Sequence, residues 1–273
     1  GNTNVASGAV IFRNDVAPTT FGFTGSGSVT IEPLGTSFSS AFNSAYNFAS
    51  TLLNLTIGKS GNTSNVTIGS TIDVTGDVNL HGGDIALNSA VSMGSGNVLT
   101  VNASGNVTQS AAVTTDSLLV LGTGNFTLNN ASNAIGTVAG GSTGTRLGNV
   151  AIVNSGVLNV GTVQGVSGLT ASDTLNVSTT SGDLTVAQNI ATTNASNAAV
   201  TLNAGRSASA GSAAGGNLLF SGGSSVTVGA GGRGTLYSGS IADSTGLTNL
   251  VGSGSGRFRY NSDEAATNYS LVL

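Results

Sequence analysis

A chain of 273 residues is long enough for one large domain or two small ones. Charged residues are only 7% of it, the formal net charge is -4, Lys59 is the sole lysine and six arginines are scattered, so no basic surface exists to neutralise a run of phosphates and nucleic acid is not an expected partner. The absence of cysteine excludes a disulfide framework or a thiolate metal site. No stretch approaches the roughly 18 apolar residues of a membrane-spanning helix, and membrane insertion is not expected.

The polar residues are chiefly Asn, Ser, Thr and Gly, which suit turns and strand surfaces and are poor in helix interiors. An all-β protein is therefore expected. Beginning at Gly1 without methionine, the chain reads as a processed product or an excised fragment. Residues 1–36 are expected to hold N-terminal strands and the first coils, with Pro33 ending the strand "SVTIEP".

Residues 37–54 depart from strand alternation. Phe38, Phe42, Tyr46 and Leu53 fall near helical spacing, with Ala41, Ala45 and Ala49 between them. The spacing predicts a short helix near 38–53 or an aromatic-rich loop packed on the flank. If its rings faced outward, Phe38, Phe42 and Tyr46 would form an aromatic surface for a ligand; packing on the flank is the expected role.

Residues 55–235 carry a repeat. "SNVTIGSTI" (64–72), "GDIALNSAV" (83–91), "GNVTQSAAV" (105–113) and "GDLTVAQNI" (182–190) share a small residue, Asn or Asp, an alternating apolar pair, small polar residues and a closing β-branched residue. Looser copies begin at "GNFTL" (124–128), "GNLLF" (216–220), "AAVTLNAG" (198–205) and "GVLNVGTV" (156–163). Anchors at 66, 85, 107 and 126 lie 19, 22 and 19 residues apart, and later spacings are less regular.

Alternation of the type Val66-x-Ile68 marks a half-buried strand. A unit of about 20 residues cannot cover its own apolar face, so it must stack on copies of itself. The expected architecture is a parallel β-helix whose coils pair at roughly 4.8 Å, about ten of them making a rod on the order of 50 Å long. Asn65, Asp84, Asn106 and Asn125 should align as a hydrogen-bonded ladder at a turn. Gln109 takes the slot of Ile68, Leu87 and Val186, the second inward position, where its amide must be bonded. A β-sandwich array is the less favoured alternative, because its strands would not repeat one nine-residue motif.

Residues 204–216 and 229–235 read as loops, and residues 236–273 as a C-terminal cap or a junction to another module. Arg257, Arg259, Tyr260, Tyr269, Leu271 and Val272 are the candidate residues of an assembly interface, with "NYSLVL" available as an added strand.

Chemistry is sparse. "GKS" at 58–60 ends like a phosphate-binding loop, but Leu53 stands where the first glycine is required. "GSGSGR" (252–257) does not complete a dinucleotide fingerprint. His81 is the only histidine; with Asp84, and with Asp73 and Asp77 nearby, it is the best catalytic or metal candidate, against the plainer reading of turn and surface residues. A glycosidase-like pair of carboxylates would need equivalent positions in stacked coils, but Asn65 and Asn106 flank Asp84. No cofactor, metal site or catalytic residue is expected.

The strings "LTIGKSGNTSNVTIGSTIDV", "VNLHGGDIALNSAV", "LTVNASGNVTQSAAV" and "LTVAQNIATTNASNAAVTLNAG" resemble the repeat region of filamentous-haemagglutinin-like exoproteins, the bacterial adhesins of two-partner secretion. The resemblance covers roughly residues 50–235. It implies a right-handed parallel β-helix, secreted or held at the bacterial cell surface, acting as a non-catalytic adhesive rod toward a host or neighbouring-cell glycan or protein. Neither Pro18 nor Pro33 follows an asparagine, so the Asn-Pro motifs of that family's secretion domain are not matched. The alternatives are a filament subunit joined end to end by strand pairing and, last, a polysaccharide-active β-helix enzyme.

Overall fold

The computed structural model describes residues 2–16, 22–44 and 46–252. These wind into an all-β parallel solenoid. One side is a nine-stranded parallel sheet that takes one strand from each turn: Phe42–Ser44, Val66–Ile68, Ile85–Leu87, Asn106–Gln109, Asn125–Leu128, Val150–Asn154, Leu175–Thr179, Val200–Asn203 and Gly234–Tyr237. A longer side runs from Ala9–Arg13 through Ser28–Glu32, Asn54–Ile57, Asp77–Gly82 and Val98–Ala103 to Leu218–Phe220. A third, short side holds Ile72–Val74 and Val91–Met93 and merges with the long one, because Val113–Leu121 and Ala134–Gly140 run through the corner unbroken.

Register follows from period-two patterning. Phe42, Val66, Ile85, Val107, Phe126, Val150, Leu175 and Val200 are paired in succession along the nine-stranded side. All eight point inward and are at most 1% exposed. A one-residue slip would turn such a column into solvent, and each fully buried aliphatic side chain contributes roughly 1.5–3 kcal/mol, so the pairing is strongly specified. The three sides share one hydrophobic core.

The "GDLTVAQNI" copy lies on a different side from its apparent equivalents. Leu184–Val186 pairs with Leu158–Val160 and Leu218–Phe220 on the long side, whereas Ile68, Leu87 and Gln109 are in register on the nine-stranded side. Val186 therefore does not share Gln109's slot. The motif encodes a corner entering a strand, and both corners use the same chemistry: Asp183 Oδ1 accepts the Asn217 N–H just as Asp84 Oδ1 accepts that of Asn106.

The described residues of 38–53 hold no helix. They form the short strands Phe42–Ser44 and Asn47–Phe48, and the Phe42 N–H donates to Asn65 O of the next coil. The four-residue spacing of Phe38, Phe42 and Tyr46 fits a strand as well as a helix, and the Ser and Asn residues between them gain backbone partners by stacking. Phe38, Phe42 and Tyr46 are buried, which corrects the aromatic-surface expectation. With Phe23 and Phe48 they form a ring cluster with centroids 5.0–6.3 Å apart, filling the first coils beside the aliphatic column that Val29, Leu55 and Val78 form on the long side.

The one α-helix among the described residues is Leu247–Val251, which packs on Leu218–Phe220 after Thr245 bridges Leu219. An antiparallel hairpin, Thr162–Val163 with Val166–Ser167, folds over the outside of the long side. It turns at Gln164 and Gly165, both at positive φ, and buries Val163 against outward-facing Leu119 and Ala139.

Candidate functional site

The polar residues of the repeat are spent on joining coils. At the corner before the nine-stranded side, Asn65 Oδ1 accepts the Asp84 N–H at 3.0 Å and Asp84 Oδ1 accepts the Asn106 N–H at 2.7 Å. Asn125 Nδ2 donates to Asn106 Oδ1, and Asn125 Oδ1 accepts the Asn149 N–H. The expected ladder is thus present, and it continues through Asn149 to Thr174, whose hydroxyl donates to Asn149 Oδ1 at 2.7 Å. Asn149 was legible in the sequence, since "GNV" at 148–150 repeats "GNV" at 105–107.

The glycines preceding these asparagines permit the close approach. A Cβ on Gly124 would lie 1.8 Å from Gly105 O, and one on Gly105 would lie 2.3 Å from Asp84 Oδ1.

A second polar line lies inside the opposite corner. Gln109 is half-buried and pairs by its side-chain amide with Asn133: its Nε2 donates to Asn133 Oδ1, and Asn133 Nδ2 donates back to Gln109 Oε1 at 3.1 Å. Fully buried Asn133 also accepts the Val113 N–H at 2.9 Å and reaches the Leu128 and Val153 carbonyls. Buried Asn154 accepts the Ile135 N–H at 2.8 Å and donates to Ile135 O at 3.1 Å, as a neighbouring strand would. Sequence reading located Gln109 and its need for a partner but missed Asn133 and Asn154. Both lie in segments, "NASNA" and "VNSGV", that read as ordinary turns.

The carboxylates follow the same rule. Asp15, Asp73, Asp77, Asp84, Asp116, Asp173 and Asp183 each accept a hydrogen bond from an adjacent coil: from Leu34 N, Ser92 Oγ, Val98 N, Asn106 N, Gly96 N, Asn194 Nδ2 and Asn217 N respectively. Glu32 pairs with Arg13 across the first two coils of the long side at 2.6 Å.

His81 lies on the long side opposite Asn102, while Asp84 belongs to the ladder at the next corner. The His81 Nδ1 atom is buried with no hydrogen-bond partner, and burial lowers the imidazole pKa below its ordinary 6.5. Among the described residues no three metal-ligating side chains converge. Lys59 Nζ donates to Pro33 O rather than heading a phosphate loop. Arg257, Arg259, Tyr260, Tyr269, Leu271 and Val272 lie outside the described residues.

A surface concavity lies where the short side ends. The short side ends at Ala134 and Ile135; in the following coil, residues 155–157 pass straight from Val150–Asn154 to Leu158–Val160. The missing strand leaves a groove of about 420 Å³ bordered by Met93, Ser95, Thr114, Asp116, Ser155 and Val157.

Comparison with protein-family models, curated proteins and solved structures finds no match to this chain.

Proposed function

We propose that this chain is a non-catalytic structural and adhesive rod, akin to the repeat region of filamentous-haemagglutinin-like exoproteins, working outside the cell as a surface or matrix component. The observation that carries this reading is the use to which the polar residues are put. Asparagines and carboxylates at the coil corners bond to the coil before or after them, and this dedicates the chain's scarce charge to holding a rod together. A catalytic carboxylate needs a pKa and a geometry set for a substrate, not a backbone N–H held in place as a ladder rung.

The test is adhesion. Beads coated with the purified chain are expected to hold to bacterial or host-cell monolayers, and a panel of polysaccharides is expected to stay intact in its presence. Beads that bind no surface above an albumin control would overturn the adhesive reading. Glycan cleavage that disappears in Asp84→Ala would replace it with an enzymatic one.

A further inference from the structure

We propose that the groove where the short side ends is a binding site for a small neutral saccharide, and so the contact point of the adhesive rod. This inference rests on the adhesive reading above and gives it a location.

A truncated parallel sheet normally leaves a row of backbone N–H and C=O groups that invites an extended peptide. Here that edge is sealed, because the Asn154 amide occupies both the N–H and the C=O of Ile135 and the Ser155 N–H takes Asn133 O. A peptide strand would find no ladder to join, so an occupant must be held by side chains.

The hydroxyls of Ser95, Thr114 and Ser155 bond to no other group among the described residues. Asp116 is fixed through one oxygen by the Gly96 N–H, leaving the other to accept. The same groove is bordered by Met93, which is mostly buried, and by Val157, which is 66% exposed, the most exposed large apolar side chain among the described residues. Hydroxyls and a carboxylate oxygen set against apolar carbon suit a sugar ring, which carries hydroxyls on its rim and C–H bonds on its faces.

Charge then selects the kind of sugar. Among the described residues Asp116 is the only charged one bordering the groove, so a sulfated, phosphorylated or sialylated glycan would meet repulsion there and no cation among them. A volume of about 420 Å³ suits a mono- or disaccharide.

The experiment is an amide chemical-shift titration of the full chain with lactose, cellobiose, maltose and N,N′-diacetylchitobiose, with sialyllactose as the charged control. At least one neutral disaccharide is expected to shift Ser95, Thr114, Asp116, Ser155 and Val157 while sialyllactose does not. Thr114→Val and Val157→Asp, both outward-facing substitutions, are each expected to weaken binding at least about tenfold with the remaining spectrum unchanged. The proposal is overturned if none of the four neutral sugars shifts these amides, or if their binding survives both substitutions. Bead adhesion separates the two readings. Adhesion that persists in both variants keeps the adhesive rod and overturns the groove as its contact point, whereas sugar binding by a chain that adheres to nothing keeps the groove and removes the adhesive rod.

Discussion

Gln109 stands in a column whose neighbours are Ile68 and Leu87, and a simple hydrophobic rule would replace it with leucine. The Asn133 contacts reverse that expectation. Gln109→Leu removes both amide bonds to Asn133 and takes the acceptor away from the Asn130 N–H, while Asn133 keeps the Val113 N–H and the Leu128 and Val153 carbonyls; the lost bonds cost more than the added burial of one half-buried side chain returns. Urea unfolding is expected to show Gln109→Leu less stable by about 1 kcal/mol and Asn133→Ala by about 2–4 kcal/mol, with a double variant less destabilised than the sum. A Gln109→Leu variant that gains stability would show the amide pair to be dispensable. Tyr46 supplies a pH signature at the same scale. Its burial raises the phenol pKa from 10.0 to about 12. Below pH 10 the phenol is neutral in both states and the stability is fully present. Above 10 the unfolded chain ionises first, and stability falls until the folded phenol titrates near 12. Alkaline unfolding should therefore carry a component of roughly 2–3 kcal/mol between these values that Tyr46→Phe removes, while their acid limbs coincide.

The corner is the element that the repeat encodes. From Gly83 onward each ladder Asn or Asp follows a glycine, whose missing side chain admits the adjacent coil while the next residue's oxygen takes a backbone donor from it. Gly124→Ala would drive a methyl against the Gly105 carbonyl, a backbone atom locked in the ladder, and is expected to lower stability by at least about 2 kcal/mol in a thermal melt. Gly8, where a Cβ meets nothing within 4 Å, is the control, and Gly8→Ala should change stability by less than about 0.5 kcal/mol. Equal melting temperatures for the two variants would remove the steric account of the corner. This element also explains what could be read from sequence. The ladder from Asn65 to Asn125 and the inward columns were legible because Gly, Asn and alternation encode local geometry. The side to which "GDLTVAQNI" belongs was not, since corners leading into different sides have identical chemical needs. Phe38, Phe42 and Tyr46 misled for a related reason: four-residue spacing satisfies both periods, and only the backbone partner at Asn65 decides between them. The groove was illegible because it arises where the short side ends, and a strand that the following coils omit leaves no motif.

At the scale of the whole molecule, stacking makes stability a nearest-neighbour property. Each inner coil has two faces against neighbours, whereas end strands such as Ala9–Arg13 and Gly234–Tyr237 are bonded on one side among the described residues. Side-chain burial follows the same gradient. Val107, Phe126 and Leu175 are fully buried in mid-rod, while Val10 and Phe12 at one end and Val226 and Leu236 at the other are only partly buried. Such a rod opens from its ends, so amide hydrogen exchange should be slowest in strands between residues 66 and 179 and progressively faster toward both ends. Phe126→Ala tests the coupling. Removing a fully buried ring costs about 3–5 kcal/mol and places a cavity between Val107 and Val150, its partners in the column. Exchange is expected to accelerate most in Asn106–Gln109 and Val150–Asn154, with smaller changes in coils farther away and the least in Ser28–Glu32. If all coils instead accelerated by one common factor, the rod would be unfolding as a single cooperative block, and the nearest-neighbour account would fail.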